Sequence, residues 1–200
     1  MKFIKPAFII MVVAMLTACA DKTEKESVDI TDTPLPVADC VFQNQQAAPG
    51  WICDEPVPGL DIQAVGIAEK SQAGHGYMKD MAKAAALGHL AEQFKVKVGK
   101  MVKQYIGTTG IGATETVDAA ATSTVKTITS KTLEGVKIYK TRIGPEGRMY
   151  VLIGLDTSTT KALVEKAVKT SMNNDQALWQ EFKAQKSHDE MAAGIAAMED

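Results

Sequence analysis

Long apolar runs, histidines, cysteines and an excess of base are all scarce in this 200-residue chain, and each scarcity narrows what it does. The apolar stretch near the N-terminus, Pro6 to Ala18, has 13 residues. That is well short of the roughly 20 an α-helix needs to cross a bilayer core, which argues against a permanent transmembrane anchor. With 22 Lys and Arg against 24 Asp and Glu, and no polybasic run, nothing draws the chain to nucleic acid or anionic lipid. The three histidines, His75, His89 and His188, stand in no recognisable catalytic arrangement. Neither a Gly-x-Ser-x-Gly elbow nor a His-Glu-x-x-His pair occurs, and the carboxylates Glu69, Asp80, Glu92 and Glu134 are too scattered to nominate an acid/base pair. Gly107-Thr108-Thr109-Gly110-Ile111-Gly112 has its glycines in the wrong order for a dinucleotide fingerprint and lacks the Lys-Ser/Thr of a P-loop, so it reads as a flexible loop. Catalytic residues, cofactor and metal are therefore all expected to be absent, and the ligand, if there is one, is unassigned.

What is present begins at the N-terminus. Two cations, Lys2 and Lys5, precede the apolar residues Ala7 to Leu16, and the stretch ends Leu16-Thr17-Ala18-Cys19, a secretory leader with a thiol at its cut. This resembles the bacterial lipobox. The resemblance implies a diacylglycerol on the Cys19 sulfur, cleavage before Cys19 and acylation, as by palmitate, of the new amine; the alternative is an ordinary leader with a chance cysteine. Cleavage removes 18 of the 200 residues, leaving 182, and with Lys2 and Lys5 gone the balance falls to 20 basic against 24 acidic. Membrane attachment then comes from the lipid on Cys19. Each buried methylene contributes about 0.8 kcal/mol, so several acyl chains on one residue hold essentially permanently. Ala20, rather than an acid, after Cys19 resembles the sorting signal for the outer membrane, with the domain facing the periplasm.

A chain of this length suits one domain with appendages. Residues 20–48 are polar, with few large apolar side chains, and read as a tether from the lipidated Cys19. In an oxidising compartment Cys40 and Cys53 are expected to pair. Two free thiols are the alternative, and a metal pair is disfavoured because no His or third Cys lies nearby at zinc spacing. Trp51, between Pro49-Gly50 and Pro56, reads as a packing residue of an irregular lead-in, or else as an exposed ring for ligand stacking.

Regular patterning starts at Ile62. Ile62, Ala64 and Gly66 on one parity and Val65 and Ile67 on the other predict a buried strand over 61–68. Alanine-rich residues 78–93 predict a helix whose Ala82, Ala84, Ala85, Ala86 and Ala91 allow close approach to a sheet. Phe94, Val96 and Val98 alternate with Lys95 and Lys97, the pattern of a half-buried strand, although Leu87, Ala91, Phe94, Val98, Met101 and Tyr105 also fit a helical register. Lys95, Lys97, Lys100 and Lys103 form a basic run suited to edge protection or to contact with an anionic glycan or lipid. Val117, Ala121, Val125, Ile128 and Thr132 recur at helical spacing, and Gly135 ends that helix. Residues 136–143 and 148–155 flank Gly144-Pro145-Glu146-Gly147 as a hairpin. Asp156-Thr157-Ser158 caps a helix with Leu163, Val164, Ala167 and Val168 inward. A last amphipathic helix over 173–200 carries Leu178, Trp179 and Phe182, then Met191, Ile195 and Met198, and can lie on its own domain, on a second copy or on lipid.

The fold class is thus α+β: a small sheet of about four strands with helices on it, in β-α-β-α-β-β-α order, plus the amphipathic C-terminal helix. In succession, Pro49-Gly50-Trp51-Ile52-Cys53, Ala64-Val65-Gly66, Lys95-Val96-Lys97-Val98, Leu133-Glu134-Gly135-Val136 and Tyr150-Val151-Leu152-Ile153-Gly154-Leu155 resemble the lipoprotein-20 (Lpp-20) family of bacterial outer-membrane lipoproteins over residues 49–172. The resemblance implies a compact domain without known catalytic residues. Some relatives are structural parts of rings around the flagellar motor. The expected role is non-enzymatic, structural or in assembly, through self-association or other envelope proteins, with an edge strand or the last helix as contact. The alternative is a periplasmic binding module for a glycan or small ligand, with a cleft near His75 and the Gly107 to Gly112 loop.

Overall fold

The structure, a computed structural model, describes residues 40–109, 114–182 and 187–198; Cys19 and the tether as far as residue 39 lie outside them. Strand β1 (Ile62–Ala68) leads into helix α1 (Gly74–Thr109), followed by α2 (Thr114–Lys126). The hairpin β2 (Lys137–Ile143) and β3 (Met149–Leu155) comes next, then α3 (Thr157–Asn174), α4 (Gln176–Phe182) and α5 (His188–Ala197). The sheet has three antiparallel strands in the order β1-β3-β2, not four.

The expected strand at 94–98 is helix. Alternation of Phe94, Val96 and Val98 satisfies a strand locally, but the longer register wins: Leu90, Phe94, Val98, Met101, Val102 and Tyr105 are all buried along one side of α1. Val96 is the residue this leaves outside, 57% exposed. The expected helix over 78–93 thereby becomes one of 36 residues, which runs through Gly107 to Thr109 where a loop was expected. Gly110 to Gly112 lie outside the described residues. The helix expected to reach Thr132 stops at Lys126; Ile128 is buried from a connection that includes a short 3-10 turn, Ser130–Thr132, in which Thr132 is half-buried and its successor Leu133 turns inward.

The period of two in β1 and β3 divides the core. Ala64, Ala68, Met149, Val151, Ile153 and Leu155 face the helices. Val65, Tyr150 and Leu152 face the other way and are covered by Phe42 and Trp51. Helix α1 crosses β1 so closely at Gly66 that a Cβ there would lie 1.9 Å from the Ala82 carbonyl oxygen. Ala82 and Ala86 are fully buried at this crossing, whereas Ala84 stays exposed. Asp156 caps α3, its carboxylate accepting from the Thr159 N–H at 2.7 Å.

The C-terminal segment is two short helices, and both pack on their own domain. Trp179, Phe182, Met191 and Ile195 are buried in the same core as α1 and α3. The indole Nε1–H of Trp179 donates to Ser171 Oγ at 3.2 Å. A helix with its apolar face buried in this way has little left to offer a second copy or lipid.

Candidate functional site

The outer side of the sheet is built by the lead-in segment. Cys40 and Cys53 are joined by a disulfide, and between them the chain folds into a small hairpin, bridged at Val41 and Ala47, and a 3-10 turn, Gly50–Cys53. Phe42 meets Tyr150 edge-on with centroids 5.6 Å apart, and the Arg142 guanidinium sits 5.5 Å from the Phe42 ring centre. The Tyr150 hydroxyl bonds to Glu146; burial, and then that carboxylate, pushes its pKa up to about 12. Trp51 is buried here, so it packs rather than stacks on a ligand.

Where this cap meets α1 a polar cleft of about 360 Å³ opens, lined by Asp54, Leu60, Asp61, Gln63, Gln93 and Lys97 among others. Lys97 Nζ donates to both Asp61 oxygens, at 2.7 and 2.8 Å, with the two side chains only 27% and 18% exposed. Gln63 is spent on the cap: its Oε1 accepts from the Val57 N–H and its Nε2 donates to the Glu55 carbonyl, both at 2.8 Å. Asp54 follows Cys53 directly and adopts a left-handed conformation, φ 64°, so the disulfide also fixes one wall. Carboxylate, ammonium and amide groups over an apolar floor can hold a small polyhydroxylated ligand. The sequence contained one sign of this cleft, Gln63 as the single polar residue of β1. The pairing of Lys97 with a residue 36 positions away had none.

A second depression, a groove of about 410 Å³, runs between α1 and α2 with Val96, Gly99, Ala121 and Val125 in its floor and Lys95, Lys100 and Lys103 on its rim. The basic run is therefore divided: three lysines border this groove while Lys97 turns into the cleft. Lys95 pairs with Glu92 and Lys103 with Asp118, each at 2.7 Å.

The histidines do not converge. His75 is exposed in the first turn of α1, and neither it nor Gly107 lines the cleft or the groove, so neither of these two depressions is the cleft expected beside them. His89 Nδ1–H donates to the Val65 carbonyl at 3.0 Å. His188 opens α5 half-buried, with its Nε2 shielded and unbonded among the described residues. Glu69 pairs with Arg148 and Glu134 with Lys166, while Asp80 and Glu92 are carried on α1. Among the described residues no three His, Cys, Asp or Glu gather as for a metal, and no helix is long and apolar enough to cross a membrane.

The family model of the LPP20 lipoprotein matches residues 49–156, from the residue before the 3-10 turn to the cap of α3. The chain belongs to the LPP20 lipoprotein family. LPP20 membership makes it a lipoprotein of the cell envelope, held to a membrane. Both depressions fall inside the LPP20 match, whereas the Cys40 to Ala48 hairpin and all of α3 to α5 fall outside it. No curated protein matches the sequence.

Proposed function

We propose that this LPP20-family protein is anchored in the outer membrane by acyl chains on Cys19, with its domain in the periplasm, and serves as a non-enzymatic structural or assembly component of the envelope. A flagellar ring is the setting that the family resemblance suggests. The observation that carries the reading is the coincidence, in one chain, of Leu16-Thr17-Ala18-Cys19 with the LPP20 match. Of the two contacts expected, an edge strand or the last helix, the first is the better supported, since the apolar residues of the C-terminal helices are buried in cis. The Gly144 N–H donates to the Arg148 carbonyl, so pairs two and four residues further along the hairpin are bonded and Thr141 and Ile143 direct their N–H groups outward. That edge is blunted by Lys137, Lys140 and Arg142 and by an irregular register at Tyr139, devices that limit strand addition.

Fractionation tests the anchor: a Cys19→Ala form should leave the membrane fraction in a high-salt wash, and its retention there would overturn the reading. Envelope assemblies and motility of a deletion strain test the role.

A second reading, a binding module for a glycan or small ligand, draws on the cleft around Lys97 and Asp61. It expects retention on murein that Lys97→Met abolishes; a wild-type protein that flows through rules it out.

A further inference from the structure

The two outer strands of the sheet are treated differently. Strand β1 is engaged: α1 crosses it at Gly66, its Val65 carbonyl accepts from His89 on that helix, and its Gln63 side chain is bonded into the lead-in segment. Strand β2 is open. Six of its seven residues are exposed, Tyr139 at 41% and Ile143 at 42% among them. Ile143, Thr141 and Ile138 stand opposite Met149, Val151 and Ile153 and so lie toward the helix side of the sheet, whereas Arg142 and Lys140, opposite Tyr150 and Leu152, lie on its outer side. The strand carries three cations and no acid. None of Lys137, Lys140 and Arg142 has an ion-pair partner among the described residues. The carboxylates that flank the hairpin are engaged elsewhere: Glu134 pairs with Lys166, Glu146 accepts from the Tyr150 hydroxyl and Asp156 caps α3.

We propose that the β2 edge binds an extended acidic segment of another envelope protein, which adds to the sheet as a fourth, antiparallel strand. The inference rests on the assembly reading above and names the chemistry of the partner. Thr141 and Ile143 direct their N–H and C=O groups outward, so each exchanges two hydrogen bonds with the incoming strand. Arg142 and Lys140 then fall at the non-hydrogen-bonded positions, where facing Cα atoms are about 4.5 Å apart and side chains come closest. Acids belong there. The partner's pattern from its N-terminal side is therefore apolar opposite Ile143, acidic opposite Arg142, β-branched opposite Thr141 and acidic opposite Lys140. The irregular register at Tyr139 confines the added strand to this stretch. A second β2 is refused by the same charges: centred on Thr141 it sets Lys140 opposite Arg142 twice, and centred on Arg142 it sets that residue against its own counterpart. An anionic lipid headgroup could pair with the side chains, yet it brings no donor to the outward carbonyls of Thr141 and Ile143. A strand brings its own N–H groups.

The test uses the lipidated full chain in mild detergent and a resin carrying the peptide Thr-Val-Glu-Thr-Glu-Val. The resin should retain the protein. The double variant Lys140→Glu with Arg142→Glu should lose about tenfold or more of that retention and gain it on Thr-Val-Lys-Thr-Lys-Val, a swap that a misfolded variant would not show. Methylating the two peptide nitrogens that face Thr141 and Ile143 keeps the charge and removes both donors, so retention should disappear. Equal retention of the methylated peptide would reduce the contact to plain charge attraction and overturn the proposal. Displacement from the resin by phosphatidylglycerol at equal negative charge would make the site one for anionic lipid and overturn it too. No retention of the wild-type protein refutes this contact and leaves the assembly reading standing, provided that envelope assemblies are lost in the deletion strain; unchanged assemblies in that strain refute the assembly reading itself.

Discussion

Replacing Gly66 by alanine adds one methyl group at the place where the fold has least room for it. The added Cβ would sit 1.9 Å from the Ala82 carbonyl oxygen, 2.5 Å from the Ala86 nitrogen and 2.8 Å from the Ala86 Cβ. Ordinary contact begins near 3.5 Å, so β1 and α1 must separate by about 1.5 Å at this point. Two of the three obstacles are helix backbone, which no rotamer change relieves. Overpacking costs roughly 1–3 kcal/mol, and a backbone obstacle places Gly66→Ala at about 3 kcal/mol. At roughly 2–4 °C per kcal/mol for a chain of this size, the melting temperature should fall by about 6–12 °C. Gly88→Ala is the control: it lies in α1, the helix that crosses Gly66, with open space around its Cβ, and alanine there should gain about 0.5–1 kcal/mol from helix propensity alone. Thermal melts followed by circular dichroism at the helix band compare the two. A Gly66→Ala protein melting within about 1 °C of the parent would refute the close crossing of α1 over β1 and the sheet-facing register of Ala82 and Ala86.

Other expectations follow from single contacts. Removing the disulfide by Cys40→Ser with Cys53→Ser should cost about 3 kcal/mol in the chain-entropy model, read as a lowered melting temperature that reductant no longer changes. Lys97→Met strands the half-buried Asp61 carboxylate and should destabilise by about 1–3 kcal/mol, with Asp61→Asn in the same chain recovering part of the loss; no loss in a denaturant titration would refute the pair's role. Tyr150 has its folded pKa raised to about 12 from 10.0, so the folded state is favoured while the phenol stays neutral, and that stability is lost as pH rises through 10 toward 12. Tyr150→Phe should flatten this alkaline loss in melts taken across that range. Asp156 has its folded pKa lowered from 3.8 to about 2, first by the Ser158 hydroxyl and then by the Thr159 N–H. Its contribution is therefore present above the unfolded value and disappears as pH falls through that interval, a slope that Asp156→Ala should remove.

Elements whose signal is local were legible in the sequence. The β2–β3 hairpin follows from β-forming arms around Gly144 to Gly147, and α3 from Asp156 with a single inward face. The strand at β1 followed from apolar residues on both parities, because the helices cover one side and the Phe42 and Trp51 cap the other. The segment 94–98 misled because five residues of strict alternation satisfy a strand as well as a helix, and only the reach from Leu87 to Tyr105 distinguishes them. That longer reach was visible as a competing register. The three-stranded count follows from this one substitution of helix for strand. In the candidate cleft, Cys40 and Cys53 were foreseeable from compartment and spacing, but Lys97 looked like one more member of a basic run. Which way a lysine points on a long helix depends on what the helix lies against, and that is tertiary information. The C-terminal segment showed its apolar residues plainly but not their destination; burial of Trp179 needs the Ser171 hydroxyl on α3, eight residues back and one helix away.

The disulfide also decides how the domain bears a load. A pull arriving at Cys40 from the N-terminal side passes through the sulfur bridge to Cys53 and on toward β1, so the intervening hairpin carries no tension. Phe42 and Trp51, packed on Val65, Tyr150 and Leu152, lie outside the loaded path. With the bridge reduced, the same pull would run through residues 41–52 and peel Phe42 away before it reached the sheet. For a pull from that side the bond acts as a mechanical bypass around the segment that covers the outer face of the sheet.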